Sequence, residues 1–140
     1  MPRPTAALKK IIIERANNLC EYCKSPADYS PQPFSIEHIY PASAGGQFIL
    51  DNLAYACQGC NNHKYTKTHG IDPLSGAEVP LFHPRQDIWL THFGWGEGGL
   101  TIIGLTGIGR ATVYELHLNR QNLVNLRTLL LLADLHPPDP

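Results

Sequence analysis

Four cysteines stand in two pairs of the form Cys-x-x-Cys, Cys20 with Cys23 and Cys57 with Cys60. Each pair can present two thiolates from one tight turn, and four thiolates in a tetrahedron are a common ligand set of Zn²⁺. No cysteine is left over, and in a reducing compartment this pattern favours a metal over two disulfides or four ordinary core cysteines. Because a four-cysteine site is closed, the sequence predicts a structural zinc ion that does not itself activate water.

An acid–histidine pair lies between the cysteine pairs, at Glu37 and His38, and Asn61 directly follows the last cysteine. The imidazole of His38 can accept a proton from water, which suits a general base. Glu37 and Asn61 offer hard oxygen ligands of the kind that Mg²⁺ or Mn²⁺ prefers, and so few protein ligands leave room for water and substrate oxygens. This pattern predicts hydrolysis of a phosphodiester, with His38 as base and one divalent ion held by Glu37 and Asn61.

Strand geometry sets a condition on this site. Residues 34–39 alternate and are β-branched enough to form a strand, in which successive side chains point to opposite faces. Glu37 and His38 therefore reach one metal–phosphate centre only if the strand ends or kinks there, which Pro41 and the loop after it allow. Asn52 is expected to bridge backbone groups of that loop and so to hold His38 in place.

Basic side chains near these residues are candidate phosphate contacts. Lys64 follows Asn61 by one turn on a predicted helix, and Arg110 lies near a predicted helix N-terminus, whose amides can help to hold a phosphate. Each cation is equally well explained as a solvated side chain. The net charge is -1, so any binding of nucleic acid depends on a local patch. The candidate contacts are Lys64, Lys67, Arg85 and Arg110.

The elements that position these residues follow from capping, alternation and turn residues. Thr5 is the expected N-cap of a first helix, and the centre of the chain is expected to run strand, loop, strand, helix. Residues 69–84 are expected to form a loop because they contain three prolines. The predicted helices span residues 6–17, 58–66, 110–118 and 121–135, and the predicted strands span 34–39, 53–56 and 100–105.

The bulk composition indicates a folded chain of one compact domain or a small core with an extension. It has 140 residues, of which 43% are hydrophobic and 16% charged. We expect a core over residues 1–68 and an extension over 69–140 that packs on it. No apolar run approaches the length of a membrane span and no signal-peptide pattern opens the chain, so a cytoplasmic protein is expected. The oligomeric state is left open between monomer and homodimer.

Together these motifs resemble the HNH endonuclease family. The resemblance implies an α+β fold with a ββα-metal (His-Me finger) core, structural zinc knuckles, a flanking N-terminal helix and a C-terminal α/β extension. The part after residue 70 also resembles the tail of small stand-alone bacterial HNH proteins, which are common among cyanobacteria. The matching residues of the core are Cys20-Glu21-Tyr22-Cys23, Glu37-His38-Ile39 with Pro41, Gly45-Gly46, Asn52-Leu53, and Cys57 through Lys64.

The resemblance also implies roles for single residues. His38 corresponds to the family's general base and Asn52 to the middle asparagine of its motif. Asn61 occupies the final, metal-binding position, where this chain has an asparagine in place of a histidine, so the pattern is the His-Asn-Asn variant. Glu37 takes the place of the family's acidic or histidine metal ligand.

The leading hypothesis is a metal-dependent endonuclease that acts on DNA. One such site per chain cuts one strand, so a monomer is expected to nick, and the resemblance implies 5′-phosphate and 3′-hydroxyl products. The alternative is a zinc-stapled nucleic-acid-binding module without catalysis, in which the cysteines matter but Glu37, His38 and Asn61 are dispensable. A third reading is a partner-binding domain that uses the leucine-rich last helix.

Overall fold

The computed structural model describes residues 3–140, which form two compact units. The first unit runs to Thr68 and also contains His83–Arg85, and the second contains His69–Phe82 and Gln86–Pro140. A domain boundary between residues 68 and 69 stays a prediction. In the structure, His83–Arg85 also lie with the first unit. Helices occur together with three two-stranded sheets, so the predicted α+β class is confirmed.

In the part of the first unit that the structure describes there are two α-helices, three short 3-10 helices and one two-stranded sheet. The Thr5 side chain accepts a hydrogen bond of 3.1 Å from the Leu8 N–H, which confirms the predicted cap of the first helix. The cysteine thiol at residue 57 accepts from the Cys60 N–H at 3.4 Å and so caps the second helix. The elements are α1 (Ala6–Arg15), β1 (Ser35–His38), β2 (Leu53–Ala56) and α2 (Gln58–Lys64).

Strands β1 and β2 are antiparallel, with Ser35 opposite Ala56 and His38 opposite Leu53. Because side chains alternate along a strand, the even-numbered residues of β1 and the odd-numbered residues of β2 share one face. On that face, Leu53 and Tyr55 form the core of the unit with Ile12 and Ala16 near and after the end of α1. Helix α2 contacts β1, and its Lys64 binds Glu37 on the opposite face of the sheet.

His83–Arg85 are held in the first unit by two contacts. The ring of His83 lies 5.6 Å from that of Tyr40, and the guanidinium of Arg85 forms an ion pair with Glu21. His83 itself is buried. A segment that is distant in sequence thus completes the surroundings of the loop after β1.

The second unit adds two hairpins, three α-helices and one short 3-10 helix. Residues 69–84 are not simply a loop, because His69–Ile71 pairs with Glu78–Pro80. Pro80 is tolerated there because it lies at the end of a two-stranded sheet. No helix in residues 3–140 is both long and apolar enough to cross a bilayer. The elements are β3 (His69–Ile71), β4 (Glu78–Pro80), α3 (Trp89–His92), β5 (Phe93–Gly96), β6 (Thr101–Gly104), α4 (Gly107–Glu115) and α5 (Gln121–Leu132).

Aromatic rings form the centre of the second unit. Phe93 is fully buried, and its ring centroid lies 5.0 Å from Trp89 and 5.2 Å from Phe82. Trp95 stacks at 5.4 Å on Trp89. These spacings are those of packed aromatic pairs, so the rings contribute to the core of this unit.

An ion pair joins the β3–β4 hairpin to α4. The Asp72 carboxylate accepts from Nε and Nη2 of Arg110, both at 2.9 Å, and also from the N–H of Leu74 and the hydroxyl of Ser75. The hydrogen bonds from Arg110 are the main cause that holds the pKa of Asp72 below its ordinary value. Arg110, a predicted phosphate contact, is therefore engaged with a carboxylate in the structure.

Replacing Asp72 with asparagine should destabilise the protein in a pH-dependent way. A carboxylate with a lowered pKa stabilises the fold above the ordinary aspartate pKa of about 3.9 and loses that contribution as the pH falls through its folded value. We expect Asp72→Asn to lower the midpoint of thermal unfolding by several degrees at pH 7, with the difference from wild type shrinking below pH 4. Exposed Asp139→Asn is the control. A difference that stays constant down to pH 2 would contradict this account.

Candidate functional site

The four cysteine thiols converge inside the first unit. The Sγ atoms of Cys20, Cys23, Cys57 and Cys60 all lie within 4.8 Å of one another, and all four residues are buried and free of disulfides. Tetrahedral zinc with Zn–S bonds of about 2.3 Å places its sulfurs roughly 3.8 Å apart. The Cys23 and Cys57 sulfurs lie 3.7 Å apart, so the cluster fits a zinc ion.

Local backbone geometry shapes each knuckle as a thiolate-binding turn. The Cys23 N–H donates to the Cys20 sulfur at 3.5 Å, as the corresponding N–H of the second pair does. The hydroxyl of Ser25 lies 3.1 Å from the Cys23 sulfur. Burial raises the pKa of Cys20. The hydrogen bond from Cys20 strongly lowers the pKa of the Cys57 thiol. The turns are therefore arranged around sulfur acceptors.

Asn52 organises the loop between the two strands. Its side-chain oxygen accepts from the Tyr40 N–H at 2.9 Å, and its amide nitrogen donates to the carbonyls of Tyr40 at 3.0 Å and Gln47 at 2.9 Å. The predicted bridge across the loop is confirmed. Gly46 is required beside it, because a Cβ there would lie 1.8 Å from the Tyr40 carbonyl oxygen.

His38 is the last residue of β1 and is half-buried, with its ring 5.8 Å from that of Phe48. The ladder continues for one bond beyond it, from the Ile39 N–H to the Asn52 carbonyl at 2.8 Å. Asn61 is half-buried on α2, which contacts β1. The structure thus places the proposed base and the proposed metal-ligating amide on adjacent elements.

Glu37 points to the face of β1 opposite His38, because both lie within the regular ladder. One carboxylate oxygen accepts from the Tyr22 hydroxyl, and the other lies 3.2 Å from Nζ of Lys64. Burial raises the pKa of Glu37, and the charge of Lys64 opposes that shift. The strand ends at His38 but does not kink, so the structure does not bring Glu37 and His38 to a common centre.

Lys64 is buried, with 1% of its surface exposed, although it was a predicted phosphate contact. Its ammonium donates to the carbonyl oxygens of Ile39 at 2.8 Å and His38 at 3.4 Å, besides Glu37. All three donors of a lysine are thereby used inside the protein. Lys64 fastens α2 to the end of β1 instead of facing solvent.

The remaining predicted cations have different surroundings. Lys67 is exposed and donates to the His63 carbonyl at 3.1 Å. Arg85 forms an ion pair with Glu21 in the first unit, whereas Arg110 belongs to the second unit. Sequence reasoning did not assign Tyr22, whose hydroxyl reaches Glu37. Its position inside the first cysteine pair was the one signal that could have drawn attention to it.

Comparison with known proteins adds a family and a relative. A model of the HNH endonuclease family matches residues 20–67. The chain is 28% identical over 126 residues to the Septu protein PtuB of Bacillus thuringiensis, across 88% of this chain. It spans 46% of that relative's length. No solved structure matches.

Removing two cysteines should remove the predicted zinc ion and unfold the first unit. Structural zinc sites contribute folding free energy directly, since binding is worth on the order of 10 kcal/mol in small domains. We expect native mass spectrometry to find one zinc per wild-type chain and none in Cys20→Ser/Cys57→Ser, with loss of the cooperative thermal transition of the first unit. Ser25→Ala, which removes only the hydroxyl near the cluster, should keep its zinc. Zinc retained by the double variant would refute the site.

Breaking the buried pair should cost more than replacing it. Lys64→Met leaves the Glu37 carboxylate buried beside an apolar group, which typically costs about 3–5 kcal/mol. Glu37→Gln/Lys64→Met removes both charges, so we expect it to recover part of that loss in urea unfolding. The exposed Lys67→Met serves as control. A double variant less stable than Lys64→Met would show that the unpaired charge of Glu37 is not the cause of the lost stability.

The family match and the geometry coincide along the chain. The matched residues contain both cysteine pairs, the β1–β2 hairpin, its Asn52-bridged loop and helix α2. The predicted order of strand, strand and helix between and after the knuckles is therefore present in the structure. Residues 20–67 of this chain match the HNH endonuclease family.

Proposed function

We propose that the chain is a metal-dependent endonuclease that hydrolyses DNA phosphodiester bonds, with His38 as the general base. The observation that carries the proposal is the position of His38 within the family-matched segment. It stands half-buried at the end of β1, where Asn52 fixes the loop that follows and Lys64 binds the carbonyl of His38 itself. A base held this way needs little reorganisation to accept a proton from water.

Asn61 is the proposed ligand of the catalytic ion, and Glu37 is the second candidate ligand. A bound Mg²⁺ or Mn²⁺ would supply charge stabilisation for the phosphate and the leaving oxygen. The amide oxygen of Asn61 suits such an ion. Both Glu37 oxygens are bound by Tyr22 and Lys64, so this carboxylate could serve the ion only by exchanging those partners. Asn61, with water and substrate oxygens, fits the described geometry better.

The roles of the protein's own groups follow from these positions. His38 accepts the proton of the attacking water, and its neutral form is the active one. Asn52 positions His38 through the loop and contacts backbone groups, so its contribution is to orientation. With one His38 per chain, a single catalytic event cuts one strand, and nicked circles should precede linear DNA.

A plasmid assay tests the proposed function. We expect supercoiled DNA to be nicked with Mg²⁺ or Mn²⁺ and not with a chelator that leaves the zinc in place. His38→Ala should reduce the rate by about 10²–10⁴-fold, the usual contribution of a general base. His69→Ala, at an exposed position of the second unit, should cut like wild type. Both variants must first be shown to retain zinc and fold.

The second candidate is a zinc-stapled nucleic-acid-binding module without catalysis. The commitment of Glu37 to a buried ion pair favours it, because this removes one of two proposed ligands. The two functions differ in metal content. Calorimetric titration of the zinc-loaded protein with Mn²⁺ should show a second, weaker site that Asn61→Ala abolishes if the chain is a nuclease. A binding module lacks that site, and His38→Ala then changes nothing in the plasmid assay.

A further inference from the structure

The edge of β2 that faces away from β1 is covered by charged side chains. The Ile39 N–H donates to the Asn52 carbonyl next to the His38–Leu53 pair, so the alternation of an antiparallel ladder points the Leu53 carbonyl outward. Nη2 of Arg15 donates to that carbonyl. The next residue of β2 whose backbone groups point outward is Tyr55, and Glu21 binds both of them. The Glu21 N–H donates to the Tyr55 carbonyl at 2.9 Å, and the Glu21 carboxylate accepts from the Tyr55 N–H at 2.8 Å.

A second arginine reaches the same edge. Nη2 of Arg85 pairs with the carboxylate oxygen of Glu21 that Tyr55 does not use. Arg15 binds β2 at Leu53, and Arg85 binds Glu21, which itself binds β2 at Tyr55. Leu53 and Tyr55 are two residues apart along the strand, a separation of roughly 7 Å. They come from the end of α1 and from the segment His83–Arg85, and both belong to the first unit.

Much of the hydrogen-bonding capacity of these two arginines is unused. A guanidinium has five N–H donors in a planar fork. Within residues 3–140, the Nε atoms of Arg15 and Arg85 are the buried side-chain nitrogens or oxygens that lack a partner. The Arg85 side chain is 14% exposed, and Arg15 is half-buried. The two Nε–H donors are therefore unsatisfied but covered by protein, and only the exposed remainder of each guanidinium can meet an anion.

The local charges leave room for an anion. Both carboxylate oxygens of Glu21 are bound, and the other nearby acid, Asp51, is exposed and attracts Arg15. Burial, followed by the charge of Arg15, lowers the pKa of Arg85 to about 10. Two partly buried guanidinium groups whose charges repel each other are stabilised by an oxyanion that binds both.

We propose that Arg15 and Arg85 form a subsite for a backbone phosphate of DNA. The proposal rests on the proposed function. Leu53 is the cross-strand partner of His38. The two arginines therefore lie on the far side of β2 from the proposed base, at roughly two strand spacings, or about 10 Å. The subsite therefore holds a phosphate that is a few nucleotides from the bond to be cut. It orients the strand and takes no part in the chemistry.

A plainer role for both arginines is to cover an edge strand, since charged side chains commonly protect such edges. That role requires their bonds to Leu53 and Glu21 but no anion. It predicts that their replacement lowers stability and leaves the affinity for DNA unchanged. The two roles are separated by measuring binding directly.

The first experiment uses the zinc-loaded His38→Ala chain, which keeps duplex DNA intact. We expect the Nε–H resonances of Arg15 and Arg85 to shift when a 20-base-pair DNA duplex is added, while that of exposed Arg3 shifts less. Inorganic phosphate alone is the second arm. Shifts with phosphate but none with DNA would overturn the proposal in favour of a free-phosphate site. Resonances that stay in place with both probes would also overturn it.

The second experiment measures affinity by fluorescence anisotropy in the same background. We expect Arg85→Gln to weaken duplex binding about tenfold at low salt and to reduce the salt slope by about one. Lys10→Gln removes an equal charge from the exposed face of α1 and should change affinity less than twofold. If Arg85→Gln does not keep its fold, Arg85→Lys and the resonance shifts of the unmodified arginines decide. Equal affinity of folded Arg85→Gln and Lys10→Gln would refute the subsite.

The two proposals fail in different ways. If the arginine resonances respond to DNA but plasmid is never cut, the subsite stands and the endonuclease is lost. If plasmid is nicked with dependence on His38 while Arg85→Gln binds and cuts like wild type, the endonuclease stands and the subsite is lost.

Discussion

The buried pair of Glu37 and Lys64 is the interaction on which the first unit depends. An ammonium without water is stable only if acceptors surround it, and here they are one carboxylate and two carbonyls at the end of β1. The carboxylate in turn receives the Tyr22 hydroxyl from the first cysteine turn. The pair thereby connects the cysteine cluster, the strand that carries His38, and the helix that carries Asn61.

Strand alternation gives neighbouring residues of β1 different surroundings and different roles. Glu37 and His38 are consecutive, yet one serves the buried face and the other stands at the margin of the proposed site. The same alternation gives Leu53 and Tyr55 to the core while their backbone groups reach Arg15 and Glu21 at the outer edge. A short two-stranded sheet can therefore hold the core residues, the proposed base and the charged side chains of its edge without a large core.

Features with a local signal could be predicted from the sequence. The spacing of the cysteines, the Thr5 cap and the loop bridged by Asn52 all depend on neighbours or on a motif of known shape. The β3–β4 hairpin was missed because three-residue strands are too short to alternate visibly and Pro80 argued against one. The burial of Lys64 could not be read locally, since its carboxylate partner lies 27 residues away.

The placement of His83–Arg85 bears on how this fold can be recombined. The family-matched segment ends at residue 67, yet the ring of His83 against Tyr40 and the guanidinium of Arg85 against Glu21 complete the first unit from beyond it. The matched segment alone therefore lacks two contacts that the first unit has. A gene fusion or domain exchange that kept only that segment would leave Glu21 a buried acid without its counter-charge, so the two stretches are expected to be inherited together.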